Sequence, residues 1–523
     1  MHRPSERTFA QSLFVQISVF LAGASLMAME ILAFRVIGKN FGTALRETSI
    51  VISVFLLSMS LGYWSGGRLA DRYPTLRTFA LVLLLAGIAI LPVPLLDAPI
   101  STSIYESALP LPLHSFLVTI ALFSIPTILL ASVSPIAIRL LAPSREETGS
   151  TAGTISALST TGSVTGSLLA AFALIEWFHG IANSMTGIAT VVLACAAATG
   201  SLSGRELEPA RKKTIIALGF MVAAAVALGA LAYRPSAPRV LEDPDARRQT
   251  VHSRETPYHV IHVVEIDRRT RILLFGRYAQ SAMDLQDPYG PGFEYTDFFH
   301  IPMILDPDAD RVLFIGLGGG TGPKQFLRHY PDLEIAAVEI DPGVVDVARE
   351  YFQLPDDPRL TVTIGDGRVW LRKEDASFDA VIIDAFTTNR YGISLPWHFT
   401  TREFFQEIEE KTAPDAVIVF NSPGRPDSPV SQALIRTMGT TFPYQLVFTA
   451  NANTVIAASK RQIASTPAAL TERIRSLRAD GKIHLQGLEE RAKQMVGMPP
   501  LSGEALILTD DHAPVDELLR LSH

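Results

Sequence analysis

Residues 311–341 constrain this chain more than any other stretch. Arg311-Val-Leu-Phe-Ile-Gly316-Leu-Gly318-Gly319-Gly320-Thr321-Gly322 is followed, after a short helical segment, by Glu334-Ile-Ala-Ala-Val-Glu339-Ile-Asp341. An apolar run ending in a glycine turn, a helix, and a second apolar run ending in a carboxylate about twenty residues on make a nucleotide-binding βαβ unit.

The alternation continues after it: strand 311–316, helix 322–330, strand 334–340, helix 342–352, strand 360–365, helix 367–373, strand 378–384, helix 401–412, strand 414–420, helix 428–440, and strands near 443–449 and 453–458. Strands spaced by helices imply a parallel, doubly wound sheet with its ligand at the carboxyl ends of the strands. Ahead of it, His259-Val-Ile-His-Val-Val-Glu-Ile and Arg271-Ile-Leu-Leu-Phe, separated by a charged turn, read as a hairpin within a small β-domain over 251–305.

Three strand ends carry acids: Glu339, Asp366 (in Gly365-Asp366-Gly367) and Asp384. Such a row repels a dinucleotide's diphosphate and attracts a sulfonium nucleoside with its positive sulfur and ammonium group. Glu339 is then placed to accept from both ribose hydroxyls and Asp366 from an adenine amino group. Any one of them alone reads equally well as a helix N-cap.

The first 234 residues are of another kind. The chain has 523 residues, is 48% hydrophobic and has a mean hydropathy of +0.25, high for a soluble enzyme. The apolar excess falls at 12–37, 48–70, 78–97, 113–141, 150–175, 181–202 and 213–233, about seven stretches long enough to cross a hydrocarbon core. A polar linker is expected at 235–250. Glu30 and Arg35 lie inside the first stretch, where a charge calls for a partner such as Arg68 or Arg139. Gly162 and Gly166, four apart among serines, suit close helix packing. Arginines and lysines concentrate on alternate connections, which puts the N-terminus in the cytoplasm of a bacterial-type inner membrane and, with seven crossings, the rest outside. A nucleotide-using domain belongs with its ligand supply, inside, so the side is undecided at this stage. The net charge of -7 and pI near 6.0 give no general attraction to nucleic acid. A lone cysteine, Cys195, excludes an internal disulfide and reads as a packing residue.

Taken together, the stretch from about 255 to 421 resembles spermidine synthase, in the membrane-anchored form that fuses an apolar half to the synthase domain of the aminopropyltransferase family. The residues that carry the likeness are Gln280, Tyr295 with Asp297, the Ile315-Gly316-Leu-Gly318-Gly319-Gly320 turn, Val338-Glu339-Ile340-Asp341, Asp357-Pro-Arg359, Asp366-Gly367-Arg368, Asp384 and Leu508-Thr509-Asp510-Asp511-His512. The resemblance implies a multi-pass α-helical membrane domain joined to an α/β Rossmann-like sheet of the S-adenosylmethionine-methyltransferase type, with a small N-terminal β-domain. It implies that Gln280 and Glu339 hold the ribose, Asp366 the adenine, and Tyr295 the aminopropyl side. The turn glycines Gly316, Gly318 and Gly319, with Gly367 and Asp384, complete the binding set; Asp384, Tyr295 and Asp297 carry the chemistry, with no metal. Gly62-Tyr-Trp-Ser-Gly66-Gly67-Arg68-Leu-Ala-Asp71-Arg72 resembles a loop of major-facilitator transporters.

Two positions depart from the family pattern. The soluble synthases have an acid aligned with Gly319 that grips the ammonium of decarboxylated S-adenosylmethionine. Three residues after Asp384, where the family places the aspartate that deprotonates the amine, stand Thr387, Thr388 and Asn389. A threonine is no base at neutral pH. An uncharged, open Gly319 would admit S-adenosylmethionine itself, whose carboxylate could displace methylthioadenosine within one molecule to give a lactone; abstraction of a β-proton, a lyase-like elimination in which His398 could act, is the variant. The expectation is therefore a methylthioadenosine-forming, S-adenosylmethionine-consuming enzyme. Its rivals are ordinary aminopropyl transfer with Asp384 or Asp297 as base, a methyltransferase, and a transporter or sensor that binds the nucleoside without turnover. His398 reads as a loop residue. Expected partners are a small-molecule substrate and the lipid bilayer, with a homo-oligomer allowed.

Overall fold

The computed structural model describes residues 9–202 and 248–521, apart from 42–44, 108, 110, 143–146, 175–177, 179, 390–391, 464–465 and 499–504. The chain divides into two compact units, Met1–Ser236 and Ala237–His523.

The first unit is helical: α1 (Phe9–Phe41), α2 (Leu45–Arg72), α3 (Leu76–Ile90), α4 (Val93–Tyr105), α5 (Leu111–Leu141), α6 (Thr148–Leu169, running into a π-helical turn to Leu174) and α7 (Ile181–Leu202). Among the described residues five helices are long and apolar enough to cross a membrane, or six if the bent pair α3–α4 is one span. The pair bends by 52°. Its break falls at Leu91-Pro92, where proline has no N–H to continue the ladder. The stretch 213–233 lies outside the described residues.

Small residues let these helices meet. A Cβ on Gly162 would sit 2.0 Å from the Phe20 carbonyl oxygen, and one on Gly166 2.0 Å from that of Ala24, so the pair serves to seat α6 on α1. Gly62 and Gly66 press α2 on α5 in the same way, against Ile128 and Ser132. The transporter-like stretch is thus helix rather than loop. Arg139 lies 3.7 Å from Asp71 and Arg68 lies over the Trp64 ring, so neither is the partner of buried Glu30.

The second unit opens with a four-stranded antiparallel sheet, β1 (Arg248–Glu255), β2 (Val260–Ile266), β3 (Thr270–Phe275) and β4 (Tyr278–Asp284). One hairpin was expected and two more strands flank it. β1 takes up Arg248–Thr250, which the sequence assigned to the linker.

Behind it stands an eight-stranded sheet. Its strands are β5 (Arg311–Ile315), β6 (Glu334–Glu339), β7 (Leu360–Ile364), β8 (Phe378–Ile383), β11 (Thr412–Pro423), β12 (Tyr444–Ala450), β13 (Asn453–Ser459) and β14 (Met495–Val496), in the order β14-β12-β13-β11-β8-β5-β6-β7. A separate two-stranded ribbon joins β9 (Thr387–Asn389) to β10 (Gly392–Ser394). β7, β6, β5, β8 and β11 run parallel, whereas β13 runs against β11 and β12 against β13. The sheet is therefore mixed, because the β12–β13 hairpin inserts its second strand beside β11. Alternate side chains of β5 enter two cores: Val312 and Phe314 one, Leu313 and Ile315 the other. Burial on both faces explains why these strands read as unbroken apolar runs.

Helix starts are set by caps. Asp341 accepts from Gly343 N at the start of α9 (Pro342–Tyr351), Asp366 from Val369 N at α10 (Gly367–Lys373), Thr401 from Phe404 N at α11 (Arg402–Glu410), and Ser428 from Ser431 N at α12 (Pro429–Gly439). The preceding helix, α8 (Thr321–His329), starts instead from Gly320 in the left-handed conformation. Chain order reverses between β5 and β8, and this switch point opens a crevice at their carboxyl ends.

Candidate active site

The glycine turn and the end of β8 meet at the switch point. Gly316, Gly318 and Gly320 have φ of 98°, 54° and 72°, the left-handed region that side chains resist. A Cβ on Gly316 would lie 2.3 Å from the Asp384 carbonyl oxygen, so only glycine lets the turn pass there. Glu339 holds the turn in shape: one carboxylate oxygen accepts from Leu317 N at 3.0 Å, the other from Asp341 N at 3.0 Å. Burial pushes its proton affinity up, and those two donors oppose the shift. The ribose position expected for Glu339 thus lies at the mouth of the turn, with lone pairs left over for hydroxyls.

Asp384 follows directly on the end of β8. Asn421 Nδ2 donates to its carboxylate at 2.8 Å, and the Tyr295 hydroxyl lies beside the same carboxylate. Burial lifts its pKa to about 6, against the pull of both donors. Tyr295 is held well above the usual tyrosine range by burial and by the neighbouring carboxylate. Its hydroxyl also lies 3.3 Å from the Gln280 backbone carbonyl oxygen, while the Gln280 side chain donates to the Tyr278 carbonyl at 3.2 Å. Asp297 does not join them. Its carboxylate takes the Arg491 Nε at 2.9 Å, in a part-buried group with Glu294 and Gln494. Burial raises the proton affinity of Asp297, and the Arg491 guanidinium opposes that shift.

Asp366 combines two roles: one oxygen caps α10 and the other meets His398 Nε2 at 3.0 Å. That histidine holds the carboxylate below its ordinary range, so His398 is a partner of the site rather than a bystander in a loop. Gly367 brings α10 close to β5, its missing Cβ falling 2.6 Å from Ile315 Cγ2. Arg368 next to it is buried and points away, with both terminal nitrogens 2.8 Å from Asp510 oxygens and a further pairing to Glu407. The Thr509-Asp510 motif is therefore a clamp on the back of the site. Asp357-Pro-Arg359 has a comparable duty: Arg359 spans Asp357 and the carbonyls of Leu327, Tyr330 and Pro331 at the end of α8.

Gly319 is not open. Its N–H donates to Ser281 Oγ at 2.9 Å, and a Cβ there would stand 2.9 Å from Phe352 Cδ1 and 3.0 Å from Ser281 Cβ. Strand β4 and the Phe352 ring fill the space that the sequence left for a ligand carboxylate. Thr387 opens the β9–β10 ribbon opposite Ser394.

Sequence reasoning missed three side chains. Asn421 ends the apolar run Val417-Ile-Val-Phe420, a polar break that could have been noticed. Ser281 gave no signal. His259, stacked on Phe275 at 3.9 Å with its Nδ1 3.0 Å from Asp341 Oδ2, lies near enough to lower the proton affinity of Glu339.

Residues 293–456, from the Tyr295 segment through Asp384 into β13, match the family model of the spermine/spermidine synthase domain. The second unit is a spermidine synthase-like domain. A probable polyamine aminopropyl transferase of Bifidobacterium longum is 27% identical to this chain over 281 residues, 50% of this chain and 61% of that protein. The polyamine aminopropyltransferase of Vibrio vulnificus is 31% identical over 181 residues, 33% and 58% of the two chains. The chain thus spans about three fifths of the length of the first curated relatives it matches. Polyamine aminopropyltransferase 1 of Streptomyces coelicolor is 26% identical over 433 residues, 78% of this chain and 75% of that one. That match necessarily runs past the spermidine synthase-like domain into the helical unit, because Ala237–His523 makes up little more than half of the chain.

Proposed function

We propose that the second unit transfers an aminopropyl group from decarboxylated S-adenosylmethionine to an amine, with Asp384 as the base, in a chain anchored in a bilayer by its first unit. The acceptor nitrogen attacks the methylene beside sulfur, the carbon–sulfur bond breaks, and the sulfonium leaves as neutral methylthioadenosine with no acid required. The proton lost by the amine goes to Asp384. The observation that carries the reading is the placement of this carboxylate, at the end of β8 between Tyr295 and Asn421, with a pKa of about 6. A base is most effective when its pKa lies near the working pH.

The relatives named polyamine aminopropyltransferases support this reading over the intramolecular one. Lactone formation from S-adenosylmethionine drew on free space at Gly319, and Phe352 with Ser281 takes that space.

Asp384→Asn keeps the shape and removes the base. We expect its methylthioadenosine release from decarboxylated donor and putrescine to fall by about 10²–10⁴-fold, with methylthioadenosine binding by calorimetry unchanged. The wild-type rate should decline as pH falls through about 6, where Asp384 gains its proton. A variant within a few fold of wild type, or a rate flat down to pH 5, would count against Asp384 as the base.

A further inference from the structure

We propose that Asn453 is a positioning residue for the reaction, acting through Asn421 to fix the donor that faces Asp384. The inference rests on the aminopropyl-transfer reading, in which Asp384 is the base.

The argument is one of hydrogen-bond direction. An ionised carboxylate only accepts, so Asn421 must offer it the NH₂ end of its amide, which it does at 2.8 Å. Its oxygen then points the other way, where Asn453 Nδ2 donates to it at 2.8 Å. Asn421 is fully buried, so water does not choose its orientation. The chain Asn453, Asn421, Asp384 thus crosses three strands, β13, β11 and β8, and each link admits one direction only.

Asn453 owes its place to the reversed strand. It is the first residue of β13, paired with Pro423 at the end of β11. The two strand ends are pinned together by Gly424 N to Ala452 O and by Thr454 Oγ1 to Gly424 O, both at 2.8 Å. The Asp384 carboxylate is faced by Tyr295 from the 3-10 turn Glu294–His300 and by Asn421 from β11; of these Tyr295 alone titrates.

Asn453→Asp replaces the donor by an acceptor. Asn421 then turns its NH₂ toward residue 453 and its oxygen toward Asp384, which must hold a proton to face it. The acid limb of kcat/KM should move up by about 1–2 pH units. Asn453→Ala, which only frees Asn421, should move it up by less and lower kcat with KM for the donor unchanged. A merely structural role would reduce activity without moving the limb. The proposal is overturned if both variants, folded as wild type, keep the wild-type acid limb. A second reading does not need turnover: the carboxyl ¹³C signal of Asp384, assigned by its loss in Asp384→Asn, should titrate at higher pH in Asn453→Asp than in wild type, and an unmoved signal refutes the relay. Absence of turnover in the wild-type chain would instead count against the aminopropyl-transfer reading, and the ¹³C titration would still test the relay.

Discussion

At the scale of single residues, Gly319 carries the most revised meaning. In the sequence it stands for a missing acid; in the fold it is where β4 and Phe352 close on the glycine turn, through the Ser281 hydrogen bond at 2.9 Å. A side chain there must displace an aromatic ring. Gly319→Ala should therefore lower stability by about 1–3 kcal/mol through overpacking, measured by thermal unfolding of the detergent-solubilised chain. Phe352→Leu in the same background should recover part of the loss, because residues in contact couple. Additive losses in the double variant would place the clash elsewhere. Asp384 and Glu339 were legible as strand-end carboxylates. Asn421 and Asn453 were not, since their roles depend on a side-chain bond across 32 residues.

At the scale of elements, the α/β alternation from β5 to β13 was readable within about three residues at each end, because apolar runs and capping residues mark the same boundaries. What could not be read was pairing. No local signal places β13 between β11 and β12, since strand order is decided by which edges meet. β1, Arg-Gln-Thr-Val-His-Ser-Arg-Glu, lacks an apolar face, and its first three residues read as linker. The C-terminal helices α13 (Pro467–Ala479), α14 (Leu488–Lys493) and α15 (Val515–Arg520) also escaped, although the last follows the segment that clamps the site. The clamp makes its own prediction. Asp510→Ala leaves the buried Arg368 guanidinium with Glu407 as its remaining carboxylate. As Asp510 is itself partly exposed, the cost should be about 1–3 kcal/mol rather than that of a fully buried pair, seen as a lower midpoint in thermal unfolding. An unchanged midpoint would mean that the C-terminal motif does not hold the back of the site.

At the scale of the whole molecule, a helical unit with five or six membrane-length helices among its described residues precedes the spermidine synthase-like domain. Hydrophobic length made the long apolar helices legible, whereas the bend between α3 and α4, set by proline, showed only in the fold. That bend bears on sidedness, because a pair that re-enters without crossing changes the parity of the count. The central claim is that this chain, extracted whole from membranes with detergent, transfers an aminopropyl group. The most direct measurement is methylthioadenosine release in two mixtures, one of decarboxylated S-adenosylmethionine with putrescine and one of S-adenosylmethionine alone. The account predicts stoichiometric methylthioadenosine and aminopropylated amine from the first and none from the second. Methylthioadenosine from S-adenosylmethionine alone, with no product from the first mixture, would contradict it.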